Sequence, residues 1–171
     1  MTNNYWFLGT GIALVLLGTI AITFAVFTTL ASVIFLGWIF LASGILQIAH
    51  GVNTRHWSGF SLYLLLGALS LIVGGMFIAK PAQSAIALTL LIALVLITKG
   101  IFRIIISLVY TFANQWWVLL NGILTTALGI IIFAQWPFSS PWVIGLFVGI
   151  DLIFNGWSLI MLSMINKRRL A

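Results

Sequence analysis

Glycines seven residues apart recur three times along this chain, as Gly11/Gly18, Gly67/Gly74 and Gly122/Gly129. A second set, Gly37/Gly44, Ala93/Gly100 and Gly149/Gly156, returns at the same offset of about 56 residues. The words around them agree. Ser43-Gly44-Ile45-Leu46-Gln47-Ile48 matches Lys99-Gly100-Ile101-Phe102-Arg103-Ile104, and both match Asn155-Gly156-Trp157-Ser158-Leu159-Ile160. A fixed period of this length marks one supersecondary unit used three times. Seven residues are close to two helical turns, so each glycine pair lies on one helix face. Such a face is a narrow groove into which a neighbouring backbone can settle.

The material between the glycines decides the solvent. Hydrophobic residues make up 63% of the chain and charged residues 5%, where a soluble domain carries roughly 25% charged. A fold in water has to cover its surface with polar groups, and too few are present. Six apolar stretches reach the roughly 20 residues that a bilayer-crossing helix needs. They run about from Trp6 to Phe27, Leu30 to Val52, Phe60 to Ala79, Ala82 to Val109, Trp116 to Gln135 and Pro141 to Ile165. Met1 to Tyr5 carry no charge, so the first stretch lacks the basic start of a signal peptide and reads as a retained span.

The expected fold is therefore an all-α integral membrane protein. Its six transmembrane helices form three repeated helical hairpins of about 56 residues in a pseudo-three-fold bundle. Residues 1–171 make a single membrane domain, with hairpins at about 6–52, 58–109 and 116–165. Two spans per copy give every copy the same orientation, with the repeat axis along the membrane normal. Arg55, Lys167, Arg168 and Arg169 gather on the side of the termini, with Arg103 near it, and Lys80 alone marks the other side. The excess of Lys and Arg on cytoplasmic segments then puts both termini in the cytoplasm. Trp6, Trp57, Trp116 and Trp117 fall at the inner interface, and Trp136 and Trp142 at the outer one. Pro81, Pro137 and Pro141 fall in tight outer turns.

The ionisable inventory excludes several chemistries. Asp151 is the only acidic side chain, there are two histidines, His50 and His56, and there is no cysteine. Paired-carboxylate catalysis needs a second acid, and thiol nucleophiles and thiolate metal sites need cysteine. No nucleophile, base and orienting group assemble from the remaining residues, so an enzyme, a cofactor and a metal site are not expected. Apart from the C-terminal run, the basic residues are scattered singly, so no nucleic-acid surface is expected. The C-terminal Lys167-Arg168-Arg169 run reads as a topology anchor with attraction to anionic lipid.

Charged groups inside a span cost a few kcal/mol on insertion scales and mark a partner or a cavity. Asp151 lies about ten residues into the sixth span, and Lys99 about seventeen into the fourth, counted from the same side. Lysine is long and leans toward its helix N-terminus, which aims Lys99 at the level of Asp151. The repeat makes Lys99 equivalent to Asn155 and Ser43, and Asn155 is one turn from Asp151. An inward polar cluster of Asp151, Asn155, Lys99 and Ser43 is expected. Arg103 either joins it or snorkels to the headgroups. The cluster is open to two readings, a structural pair that fixes repeat order and a proton- or ion-responsive site. Tyr63 and Asn121 are expected as polar contacts between helices, with Gln47 and His50 near the inner interface and Arg55 and His56 in a solvated loop. The glycines and Ala93 are expected to serve packing.

Trp57-Ser58-Gly59-Phe60 with Leu62-Tyr63-Leu64-Leu65, Ile101-Phe102-Arg103-Ile104, Gln135-Trp136-Pro137 and, most specifically, Gly149-Ile150-Asp151-Leu152-Ile153-Phe154 carry a resemblance. The sequence resembles the HdeD acid-resistance membrane proteins over nearly the whole chain, most weakly in the first hairpin. That resemblance implies a small six-span protein of the bacterial inner membrane, associated with survival of acid stress, with no catalytic residues to carry over. The expected role is non-enzymatic, through membrane stabilisation, self-association or contact with other envelope proteins. The alternative is a small transporter or proton-linked channel using Asp151 and Lys99. The scarcity of acids fits acid exposure, because acid denaturation is mostly protonation of native carboxylates.

Overall fold

In a computed structural model, six helices follow one another: α1 (Asn3–Thr23), α2 (Ala25–Asn53), α3 (Phe60–Ala79), α4 (Pro81–Val109), α5 (Gln115–Ala134) and α6 (Ser140–Arg168). The structure describes residues 3–53, 60–110 and 115–168, with side chains over 6–52, 60–110 and 115–164. Arg55, His56 and Trp57, and the side chains of Lys167, Arg168 and Arg169, lie outside the described residues. All six helices are long and apolar enough to cross a membrane. Between 11% and 28% of each apolar window is buried. Trp6, Phe27, Trp116, Trp117, Phe138 and Phe154 are all more than two-thirds exposed. Large apolar side chains thus face outward along whole helices, which suggests a multi-pass membrane protein.

The first helix of each repeat has 20 or 21 residues and the second has 29. The first boundary differs most from the sequence expectation. α1 ends at Thr23 and α2 begins at Ala25, four to five residues before the expected break. The stretch Ala21–Phe27 holds no glycine, proline or charge to mark a turn, so hydropathy alone runs through it.

The corner itself is a repeated device. Phe24, Lys80 and Gln135 each donate their N–H to a carbonyl four residues back, at Ile20, Met76 and Ile131, and each accepts from an N–H four residues ahead, at Thr28, Ser84 and Ser139. Those same three residues add a hydroxyl latch. Thr28 Oγ1 donates to Ala21 O at 3.1 Å, Ser84 Oγ to Met76 O at 3.3 Å and Ser139 Oγ to Ile132 O at 3.1 Å. Each hydroxyl thus bonds to a carbonyl in the last turn of the helix before the corner, and at Met76 it adds to the bond from Lys80 N–H. Pro81, at the start of α4, gives up an N–H that no helix would use.

Two compact units make up the chain. One comprises Met1–Ser32 with Pro141–Ala171, the other Val33–Ser140. In the second, α2 packs antiparallel on α3 and α4 antiparallel on α5. A Cβ placed on Gly74 would lie 2.8 Å from Gly37 O, and one on Gly44 2.8 Å from Gly67 O. Likewise, a Cβ on Gly100 would lie 2.9 Å from Gly122 O and one on Gly129 3.0 Å from Ala93 O. In the first unit, α1 packs antiparallel on α6, with a Cβ on Gly156 2.6 Å from Gly11 O and one on Gly18 2.7 Å from Gly149 O. These backbone approaches therefore lie between repeats: the second helix of each copy meets the first helix of the next, and α6 meets α1. Over one heptad a helix face drifts by only about 20°, so two small residues seven apart still face the same neighbour.

Each glycine also faces a second atom set. A Cβ on Gly18 would meet Ile153, on Gly67 Ile48, on Gly122 Ile104 and on Gly129 Ile97. Each of these isoleucines stands four residues after a small residue of the opposite stripe, at Gly149, Gly44, Gly100 and Ala93. The contact is a branched side chain closing over a bare backbone, so van der Waals packing carries it where no hydrophobic drive exists between helices.

Candidate polar sites within the helices

In the first unit, Asp151 and Asn155 stand one turn apart on α6. Asp151 and Asn155 are both exposed. Asn155 Nδ2 donates to the backbone carbonyl of Asp151 at 2.9 Å, so the carboxylate is not its acceptor. Deeper in the packing, Gly145 N–H donates to Thr29 Oγ1 at 2.8 Å. Thr29 has no exposed surface, and a Cβ on Gly145 would strike the Ala25 carbonyl. Glycine is therefore the residue that brings α6 close enough to α2 for this bond.

In the second unit, Arg103 on α4 reaches α5. Its Nη1 donates to Asn121 Oδ1 at 2.7 Å. Thr125 Oγ1 donates to Asn121 O at 2.6 Å and lies 3.1 Å from Oδ1. The asparagine carbonyl is thus held by a threonine one turn ahead and presented to the guanidinium. Lys99, one turn before Arg103, is exposed on α4. On α2, Gln47 Nε2 donates to Ser43 Oγ at 2.8 Å, and the His50 ring meets Tyr63 of α3 edge to face with centroids 5.5 Å apart.

Of the five residues expected to cluster, Asp151 and Asn155 share α6 in the first unit, whereas Ser43, Lys99 and Arg103 belong to the second. Arg103 bonds to Asn121 and Ser43 to Gln47. Asn121 makes the interhelical contact expected of it. Thr125, which positions Asn121, went unrecognised, although a threonine four residues after an in-span asparagine is a readable signal, since its hydroxyl reaches the carbonyl one turn back. Trp136, expected only as an interfacial aromatic, ties the third corner to α4 through Nε1–H donated to Ile86 O at 3.0 Å.

Two buried hydroxyls of the second unit, Thr89 Oγ1 and Ser140 Oγ, have no hydrogen-bond partner. No three His, Cys, Asp or Glu side chains gather among the described residues. Chemically, the two groups offer a cation held by an amide carbonyl on α4 and α5, and an acid beside an amide on α6.

A family model described as a short repeat of unknown function (DUF308) matches the chain twice, over residues 9–79 and 65–134. The two matches overlap and together run from the first helix through the fifth. No curated protein matches the chain, and no solved structure does.

Proposed function

The chain belongs to the DUF308 short-repeat family, and from that premise we propose a non-enzymatic integral protein of the bacterial inner membrane that supports survival of acid stress. HdeD proteins lie in the same family, and the resemblance of the Gly149–Phe154 stretch carries their association to this chain. The protein acts by stabilising the membrane or by contacting a partner, either a second copy or another envelope protein. Both termini face the cytoplasm on the distribution of Lys and Arg.

What supports this reading is the nature of the helix contacts. Glycine stripes meet backbone carbonyls and isoleucines, and the corners close through hydroxyl-to-carbonyl bonds. None of these groups changes charge as the pH falls. The one carboxylate, Asp151, is bypassed by its neighbour Asn155, which bonds to the backbone instead. Acid therefore removes none of these contacts, whereas a protein held by carboxylate pairs loses stability with each proton taken up. Survival at low pH of a strain lacking the protein, with envelope permeability measured in parallel, tests the role. Unchanged survival and permeability would remove it.

A second reading rests on Asp151, Lys99 and Arg103 being exposed within helices of spanning length, where ionisable groups mark ion or proton paths. It makes the protein a small transporter or proton-linked channel. Proton flux into proteoliposomes, with and without Asp151→Asn, separates the two, since transport requires a flux that this substitution abolishes.

A further inference from the structure

Asp151 on α6 and Lys99 on α4 are both exposed, and both lie inside windows long and apolar enough to cross a bilayer, Ser140–Met164 and Pro81–Val109. An ionised group at that depth calls for a partner, since lipid tails offer none. Neither unit supplies one of opposite sign from its own described side chains. The unit Val33–Ser140 contains no acidic residue, because Asp151 is the only one in the chain. The described side chains of the other unit include no lysine or arginine.

The faces that carry the two charges are repeat counterparts. Val95, Thr98, Lys99 and Phe102 are exposed on α4, and Asp151, Phe154, Asn155 and Ser158, about 56 residues later, are exposed on α6. Both sets have the i, i+3, i+4, i+7 spacing of a single helix face. Each helix is the second of its hairpin, so both cross a bilayer in the same direction. Counterparts therefore share a depth in every copy inserted the same way. Laid side by side, α4 of one copy and α6 of another match in charge and in size. Lys99 falls at the level of Asn155, one turn or roughly 6 Å from the level of Asp151, and its lean toward the helix N-terminus spans that turn. Asn155 spends an amide N–H on the Asp151 carbonyl and leaves Oδ1 as an acceptor, so the ammonium meets a carboxylate and an amide oxygen together. Phe102 falls opposite Ser158, and Phe154 opposite Thr98, large against small at both turns. The counterpart face of α2, with Ile39, Ala42, Ser43 and Leu46, carries no charge.

We propose that this chain assembles with further copies of itself in the bilayer, α4 of one copy against α6 of the next, with Lys99 of the first paired to Asp151 of the second. The proposal rests on the membrane-spanning reading above and not on the acid-stress role. The contact joins chains and leaves the packing within each chain as described. Because the two faces differ, it is a heterologous contact that closes into a ring or is exchanged twice in a dimer.

The chain has no cysteine, so introduced pairs report alone. Two differently tagged full-length chains, one with Phe102→Cys and the other with Ser158→Cys, are co-expressed and oxidised in isolated membranes. Both positions are exposed, and both charges stay in place. The expected result is a disulfide-linked pair carrying both tags, formed at least about fivefold more than when Leu46→Cys of the α2 face replaces Phe102→Cys, the scale of one interhelical polar contact in a bilayer. Adding Lys99→Asp to the Phe102→Cys chain lowers the yield by about as much, and adding Asp151→Lys to the Ser158→Cys chain as well restores it. No mixed-tag product, an equal yield from Leu46→Cys, or a disulfide closed inside one chain carrying both cysteines would overturn the interface. Failure of the exchanged charges to restore the yield would overturn the ion pair. The first comparison keeps the native charges, so it decides the interface even where a charge variant does not fold. A carbonate wash of the same membranes separates the premises: release of the protein would remove the membrane reading and the interface with it, whereas retained protein without the cross-link removes the interface alone.

Discussion

Gly156 of α6 and Gly11 of α1 sit with each backbone carbonyl where the other's Cβ would be: a Cβ on Gly156 would lie 2.6 Å from Gly11 O, and one on Gly11 2.8 Å from Gly156 O. Backbone cannot withdraw as a side-chain tip can, so α1 and α6 must separate to admit a methyl group. Gly156→Ala is expected to destabilise by about 1–3 kcal/mol, the usual range for overpacking, and Gly156→Val by more. Gly9 and Gly75 have nothing within 4 Å of a built Cβ. Alanine there stabilises or is neutral, by about 0.5–1 kcal/mol at most, since glycine is the poorer helix former. Unfolding of the four variants in mixed micelles with rising denaturing detergent gives the comparison. Equal responses at Gly156 and Gly9 would show that the stripe does not carry the packing.

Two buried threonines give the same substitution opposite signs. Thr29 and Thr89 both have no exposed surface, yet Thr29 Oγ1 accepts from Gly145 N–H and Thr89 Oγ1 has no partner. Thr→Val keeps the shape and removes the hydroxyl. At Thr29 it removes the Gly145–Thr29 bond between α6 and α2 and costs about 1 kcal/mol. At Thr89 it relieves a buried hydroxyl with no partner and is neutral or stabilising. Thermal melts followed by fluorescence-detected gel filtration read both. A loss of stability at Thr89 equal to that at Thr29 would mean that Thr89 does have a partner.

The glycine stripes were legible because a seven-residue spacing survives in one dimension, and so were the six helices. Which helix each stripe faces was not. The period delimits hairpins, and nothing in a hairpin's own sequence says that its second helix meets the next copy's first. The signal that was present, an isoleucine four residues after a small residue, as at Gly44/Ile48, Ala93/Ile97, Gly100/Ile104 and Gly149/Ile153, looks like ordinary apolar filling until the partner stripe is in place. The corner at Phe24 was hidden for another reason. Its latch is Thr28, one of three threonines (Thr23, Thr28 and Thr29) in an otherwise apolar stretch, whereas the equivalent corners carry Lys80-Pro81 and Gln135-Trp136-Pro137. The polar residues were legible as individuals, and their partners were set by helix register: Arg103 meets Asn121 because Gly100 meets Gly122.

That register is testable at the pair itself. Arg103 and Asn121 lie 2.7 Å apart across α4 and α5, and both are exposed. A double-mutant cycle with Arg103→Leu and Asn121→Leu is expected to give a coupling of about 0.6 kcal/mol, and at most about 1.7, the range found for interhelical polar pairs in bilayers. Thr125→Val lowers the coupling by freeing the Asn121 side chain, without touching Arg103. Zero coupling, with both single variants as stable as the parent, would place the arginine in the headgroups instead.

Stability as a function of pH follows from the same contacts. The slope of unfolding free energy with pH equals the difference in protons bound by the unfolded and native states. Helix pairs closed by glycine against carbonyl, and corners closed by Thr28, Ser84 and Ser139, exchange no protons on unfolding. Asp151, whose carboxylate is not the acceptor of Asn155, is the only acidic side chain in the chain. Those contacts therefore add no slope, and the unfolding midpoint in nanodiscs is expected to show no steep fall below pH 5, where proteins held by carboxylate pairs lose stability. A midpoint that falls steeply below pH 5 in the parent and stays level in Asp151→Asn would show that the carboxylate holds the fold after all, and with it would go the argument that these helix contacts suit the protein to acid.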